Sequence, residues 1–158
     1  MVGTVTRAEM RSKNLRHRCT YVAVVRTSGA LVVHQRADWK DVWPSHWDVC
    51  FGGVVGVGES WDDAARRELT EEAGLVAGDL EMLGLVRYDD ALTSSAGRVY
   101  LVVSDDPLSC PDGEVVQTDE IPIDQLDEWL DGRDVCLDSA TVVVPLLRSW
   151  AVDFSDDQ

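Results

Sequence analysis

The sequence predicts a single α/β domain. Three observations carry that expectation. β-Branched runs alternate with helical segments along the chain, one segment carries both the start and the stop signal of a helix, and 158 residues suit one hydrophobic core. No repeat, low-complexity tract or interdomain linker divides the chain. The expected domain covers 1–158, with a polar N-terminal segment over about 1–18. An acidic C-terminal tail over about 151–158 holds Asp153, Asp156 and Asp157, expected to be solvated.

The N-terminal segment is basic, with Arg7, Arg11, Lys13, Arg16 and Arg18. Residues 19–26 form a β-branched run that reads as a strand. Thr27-Ser28-Gly29 is a turn, and residues 30–36 read as the returning strand of a hairpin. Residues 37–48 form a loop crowded with Trp39, Lys40, Asp41, Trp43, Pro44, His46 and Trp47, and residues 52–58 are punctuated by glycine. A helix is expected over 61–73, because Ser60 and Asp63 have the spacing of a capping box and Gly74 suits the stop. Residues 80–88 and 98–104 read as strands, 105–113 as a loop, 114–123 as a strand and 124–130 as a short helix ending near Gly132. Ser139 is expected to cap a last helix through about Trp150, with Pro145 kinking it or marking its true start.

Composition excludes some partners. The chain has 14 Lys+Arg against 29 Asp+Glu, a net charge of −15. A nucleic-acid duplex or an anionic membrane needs clustered cations, so neither is expected. A small anionic substrate needs a local cationic site, which a metal ion can build. The longest apolar runs, such as Val142-Val143-Val144, fall far short of the ~20 residues of a membrane span. Cys19, Cys50, Cys110 and Cys136 form no Cys-x-x-Cys pair, and Met1-Val2-Gly3-Thr4 opens no signal peptide. Both fit a reducing cytoplasm; whether the protein forms a homodimer is left open.

The 61–73 helix carries the chemistry. At about 100° per residue, Glu68, Glu71 and Glu72 fall within an arc of roughly 100°, on the same face as Trp61, Ala64, Ala65 and Leu69. Glu68 and Glu72 are then like charges at i,i+4 on a face that packs against the domain, which is costly. A divalent cation removes the conflict, and carboxylate oxygens suit a hard ion such as Mg²⁺, with Mn²⁺ as a substitute. Gly52-Gly53 permits close backbone approach to a ligand.

These residues resemble the Nudix box. From Gly53 there are five residues to Glu59 and seven more to Arg67-Glu68-Leu69; Thr70 is followed by Glu71-Glu72, Ala73, Gly74 and Leu75. Every specified position over 53–75 is filled. The resemblance implies a Nudix-type α/β/α sandwich with a mixed sheet, and a Mg²⁺-dependent hydrolase of a small diphosphate. By the same resemblance Glu68 and Glu72 are the main metal ligands, with Glu71 close by and the Gly52 carbonyl as a further ligand. Arg67 holds the acids in place. Glu114 is the candidate for a further ligand from a later strand. Glu59 or Glu68 is the base that takes the proton from the attacking water.

A second resemblance lies in the preceding loop. His17-Arg18, then Arg36-Ala37-x-x-Lys40-x-x-Trp43-Pro44-x-x-Trp47, resembles the isopentenyl diphosphate isomerase branch of the same family. That likeness implies that Arg36 and Lys40 hold the substrate diphosphate, and that His17 belongs to a metal site. Trp43 is a candidate for stacking on the substrate. The isomerase's catalytic cysteine position falls on Gly52, two residues from Cys50, and no acid stands in 95–100. The expectation is therefore hydrolysis of a nucleoside diphosphate derivative or similar diphosphate. A catalytically weak binding domain is the alternative, and an isomerase-like enzyme the less favoured one.

Overall fold

A computed structural model of the protein describes the backbone of residues 3–156 and the side chains of 3–152. The acids expected in a solvated tail lie outside the described side chains.

β1 (His17–Val25) shows why a sheet forms here and why helices cover both of its faces. Tyr21, Ala23 and Val25 enter one core, Val22 and Val24 another. A strand's period of two, with both faces apolar, demands a layer on each side. β2 (Ala30–Arg36) returns antiparallel, but it pairs with β1 only near the turn, Val25 against Leu31. The two strands then part, and residues 47–54 fill the fork. β3 (Trp47–Asp48) pairs with His34 and Gln35, while Phe51 bridges Val22 and Val54 bridges Cys19.

β1 pairs in parallel with β5 (Ser94–Val103), from His17 against Ser95 to Val25 against Val103. β4 (Glu81–Asp89) lies antiparallel on the far side of β5, and β6 (Val115–Pro122) antiparallel on β2. The result is a six-stranded mixed sheet. α2 (Trp61–Glu68) packs Ala65 against one face, with Leu69 and Ala73 from the turn that follows it. α3 (Leu126–Leu130), α4 (Leu137–Val142) and α5 (Val144–Asp156) cover the other face through Leu126, Trp129, Val142 and Leu147. This is the sandwich the motif implied.

Several boundaries differ from the expectation. β5 begins at Ser94 rather than 98, because the small residues 95–97 continue the parallel ladder against 17–19, Ser94 pairs with Asp89 of the neighbouring strand, and pairing outweighs their weak strand propensity. α1 (Arg7–Ser12), inside the polar N-terminal segment, was unexpected; Thr6 caps it through the Glu9 amide, and buried Met10 anchors it. The 61–73 helix is α-helical only to Glu68 and continues as a wider π turn over Leu69–Ala73. Ser60 accepts from the Asp63 amide at 3.1 Å, and Gly74 (φ 72°) ends the turn, as the sequence predicts. The last helical region breaks at Val143. Pro145 sits in the first turn of α5, where its missing N–H costs nothing, and Ser139 lies inside α4 instead of capping it.

Candidate active site

The glycine segment and the α2–π turn build one side of the site. Gly52 has φ 149°, and a Cβ there would lie 2.0 Å from the Thr20 carbonyl oxygen, so only glycine fits against β1. Its N–H donates to Glu72 Oε2 at 2.9 Å. A Cβ on Gly53 would lie 2.5 Å from Glu68 Oε1, so the Glu68 carboxylate rests directly on the glycine backbone.

The π turn separates the three acids that a regular helix would keep together. Glu72 turns inward and is 3 % exposed, the Glu68 side chain is 13 % exposed, and Glu71 faces outward at 51 %. Burial pushes the Glu72 carboxyl up to about 7, against the Gly52 amide and Lys40, which favour its charged form. Burial also raises Glu68, opposed by Arg67. Both carboxylates are thus held out of water, each with one cation close by, Arg67 for Glu68 and Lys40 for Glu72.

Arg67 is the hub of the exposed side. Its guanidinium donates to Glu59 Oε1 at 2.8 Å and Oε2 at 3.1 Å, to Glu68 at 2.7 Å, to Glu71 at 3.0 Å and to the Val54 carbonyl at 3.2 Å. The Glu59 carboxyl also accepts from the Gly56 amide at 2.7 Å, and its pKa is lowered chiefly by Arg67. Behind the loop, Arg18 donates to the carbonyls of Gly56 and Glu59. Trp61, expected on the apolar face, packs there partly buried, with the Arg18 and Arg98 guanidinium groups 5.3 Å and 5.4 Å from its ring.

The loop over 37–46 brings a buried cation to the acids of the site. Lys40 is no surface cation: its side chain is 8 % exposed, it bonds Glu114, and its Nζ lies 3.8 Å from Glu72 Oε1. The structure thus brings Lys40, Glu72 and Glu114 together. Burial, then Arg36, lowers the Lys40 pKa. Arg36 is engaged with Asp48 at 3.8 Å and the Val42 carbonyl at 3.2 Å, while its Nε has no partner. Among the described residues, no three His, Cys, Asp or Glu side chains converge as a preformed metal cluster. Lys40 and Arg67 stand among the acids instead.

A cavity of about 70 Å³ opens beside Gly52 and Gly53. His17, Arg36, Trp43, Asp48, Cys50 and Asp138 are among its walls. Trp43 sits at φ 52°, with a buried indole N–H that has no partner. The Cys50 thiol is buried and pushed well above its ordinary value, by burial first and then by Asp48. Asp138 is raised to about 6 by burial and by the negative charge of Asp48. Neither Asp48 nor Asp138 stood out in the sequence: each is a lone acid in an unremarkable context, and only the fold brings them to one cavity.

Comparison with known proteins places this geometry in context. A family model described as the NUDIX domain matches residues 15–140. The chain is 43 % identical over 103 residues to an uncharacterized Nudix hydrolase, SCO1686, of Streptomyces coelicolor, covering 63 % of this chain and 54 % of that protein. It thus spans about half the length of that curated relative. Among solved structures, the NUDIX domain of Shewanella oneidensis NrtR complexed with ADP ribose superposes with a TM-score of 0.70 at 16 % identity, covering 93 % of this chain and 99 % of that one. A C. elegans Ap4A hydrolase in a binary complex gives a TM-score of 0.66 at 17 % identity, over 89 % and 98 % of the two chains. At such identities the likeness shows a shared fold.

Proposed function

The chain belongs to the NUDIX domain family, and from that premise we propose that it hydrolyses the diphosphate linkage of a nucleoside diphosphate derivative or a similar small diphosphate. The observation that carries this reading is the pair of carboxylates Glu68 and Glu72, buried beside the glycine backbone and both raised by burial. Burial of two neighbouring carboxylates favours a cation between them, and their hard oxygen donors fit Mg²⁺ or Mn²⁺. Glu68 and Glu72 would hold the ion, with the Gly52 carbonyl, Glu71 and Glu114 as further donors. When bound, the ion supplies charge neutralisation at the diphosphate and a more acidic water.

The remaining chemistry belongs to the chain's own residues. Arg67 fixes Glu59 and Glu68 relative to the glycine loop. Glu59 is engaged by two guanidinium nitrogens and an amide, which supports Glu68 over Glu59 as the group that takes the proton from the attacking water. Arg36 and Trp43 line the cavity next to the glycines, which supports Arg36 as a partner of the diphosphate and Trp43 as a neighbour of the substrate. The buried, neutral Cys50 thiol supports hydrolysis over a cysteine-dependent isomerisation. The four free cysteines fit a cytoplasmic setting.

The neighbours' ADP ribose and Ap4A set the starting panel. These two compounds, nucleoside triphosphates and other nucleotide sugars are incubated with the protein and Mg²⁺, and phosphate is scored after coupling to a phosphatase. Turnover of at least one diphosphate is expected. Turnover of none, with folded protein and either Mg²⁺ or Mn²⁺, overturns the reading.

A further inference from the structure

Lys40 occupies a position that its sequence context did not suggest. Its ammonium bonds Glu114 and lies 3.8 Å from Glu72 Oε1, and both Lys40 and Glu72 are nearly inaccessible. Glu72 is a carboxylate proposed above to hold a divalent ion, and Glu114 is the proposed further donor. An ammonium and a divalent cation compete for the same carboxylates, and at a few ångströms in a poorly solvated site they repel each other. Binding of the ion therefore favours departure of the ammonium.

The surroundings give Lys40 somewhere to go. The loop backbone is pinned, with the Lys40 and Ser45 amides both donating to the Ala37 carbonyl at 3.4 and 3.3 Å. The long, flexible stem can move the ammonium without moving that backbone. Trp39, 61 % exposed at the loop tip, already has its ring 6.0 Å from Nζ and offers a cation–π seat. The positive charge of Arg36 also acts against the Lys40 ammonium in its present place.

We infer that Lys40 is the site's resident counter-cation: metal loading displaces its ammonium from Glu72 and Glu114 and frees it for the substrate diphosphate. The inference rests on the metal reading above. It makes Lys40 a substrate-binding residue that couples the two binding events. Metal binds more weakly than the carboxylates alone would allow, and the freed ammonium is presented to phosphate only once the metal is in place.

The chain has two lysines, so the test is direct. Lys13, with its side chain 61 % exposed, serves as the internal reference. Acetylation by an amine-reactive ester is followed by mass spectrometry, with and without Mg²⁺ and in the absence of substrate. Lys40 should label slowly in metal-free protein and several-fold faster with Mg²⁺, while Lys13 stays constant. In parallel, Lys40→Met should bind Mn²⁺ about tenfold more tightly than wild type in a substrate-free calorimetric titration. If that variant does not fold, Lys40→Gln carries the same expectation. Metal binding with Lys40 labelling unchanged, or with no gain in the variant, overturns the counter-cation role and leaves the hydrolase reading standing. Absence of metal binding by wild type and variant alike overturns the metal reading and this inference with it.

Discussion

At the scale of single residues, charge explains more than motif. Glu68, Arg67 and Glu72 were legible because the box fixes their spacing, and the structure places all three around the glycine backbone. Arg36 and Lys40 were legible as cations of interest, but not in their partners. A sequence shows that a cation exists; only the fold shows that Arg36 meets Asp48 and that Lys40 meets Glu114. Asp138 carries a prediction of its own. Its folded-state pKa, about 6, lies above the ordinary value of 3.8, because burial and Asp48 penalise the charged form. Folded protein therefore holds this proton more tightly than unfolded chain does. The stability it contributes is present below about pH 4 and is lost as pH rises towards 6 and beyond. Asp138→Asn should raise the melting temperature by a few degrees at pH 7.5, with the gain disappearing near pH 4. A gain that is the same at both pH values would contradict that origin.

At the scale of elements, the caps were readable and the π turn was not. Ser60, Asp63 and Gly74 announce a start and a stop through local chemistry. A helical wheel assumes one pitch throughout, so it put Glu71 on the buried face, whereas the wider turn after Glu68 sends Glu71 to the surface and Glu72 inward. α1 was missed because six residues carry too little periodicity to stand out from a polar segment. The contact between the glycine segment and α2 gives an element-level test. Gly53→Ala would push a methyl into the Glu68 carboxylate, the flexible end of a side chain that can shift. The fold should survive with a melting temperature close to wild type, while turnover falls by about tenfold or more through misplacement of Glu68. A large loss of melting temperature with turnover intact would show that the contact is structural only.

At the scale of the whole molecule, the class of fold followed from alternating strands and helices, but the sheet order did not. β1 pairs only briefly with its hairpin neighbour and at length with β5, some 70 residues away along the chain. No local signal encodes that pairing; it follows from burying both faces of β1. The same pairing brings residues 47–54 into the fork and sets Gly52 against Thr20, so the site depends on the sheet's topology as much as on the box. Among the described residues no helix is long and apolar enough to cross a membrane. Under the proposed function, buried Glu72 holds a divalent cation that diphosphate hydrolysis requires. The measurement that tests it most directly is the initial rate on the best diphosphate of the panel, taken with Mg²⁺, with excess EDTA, and with Mg²⁺ for Glu72→Gln. The rate should fall by about 10²–10⁴ in both the EDTA and the Glu72→Gln arms, with Glu72→Gln still folded. A full rate in excess EDTA, or in Glu72→Gln, would contradict it.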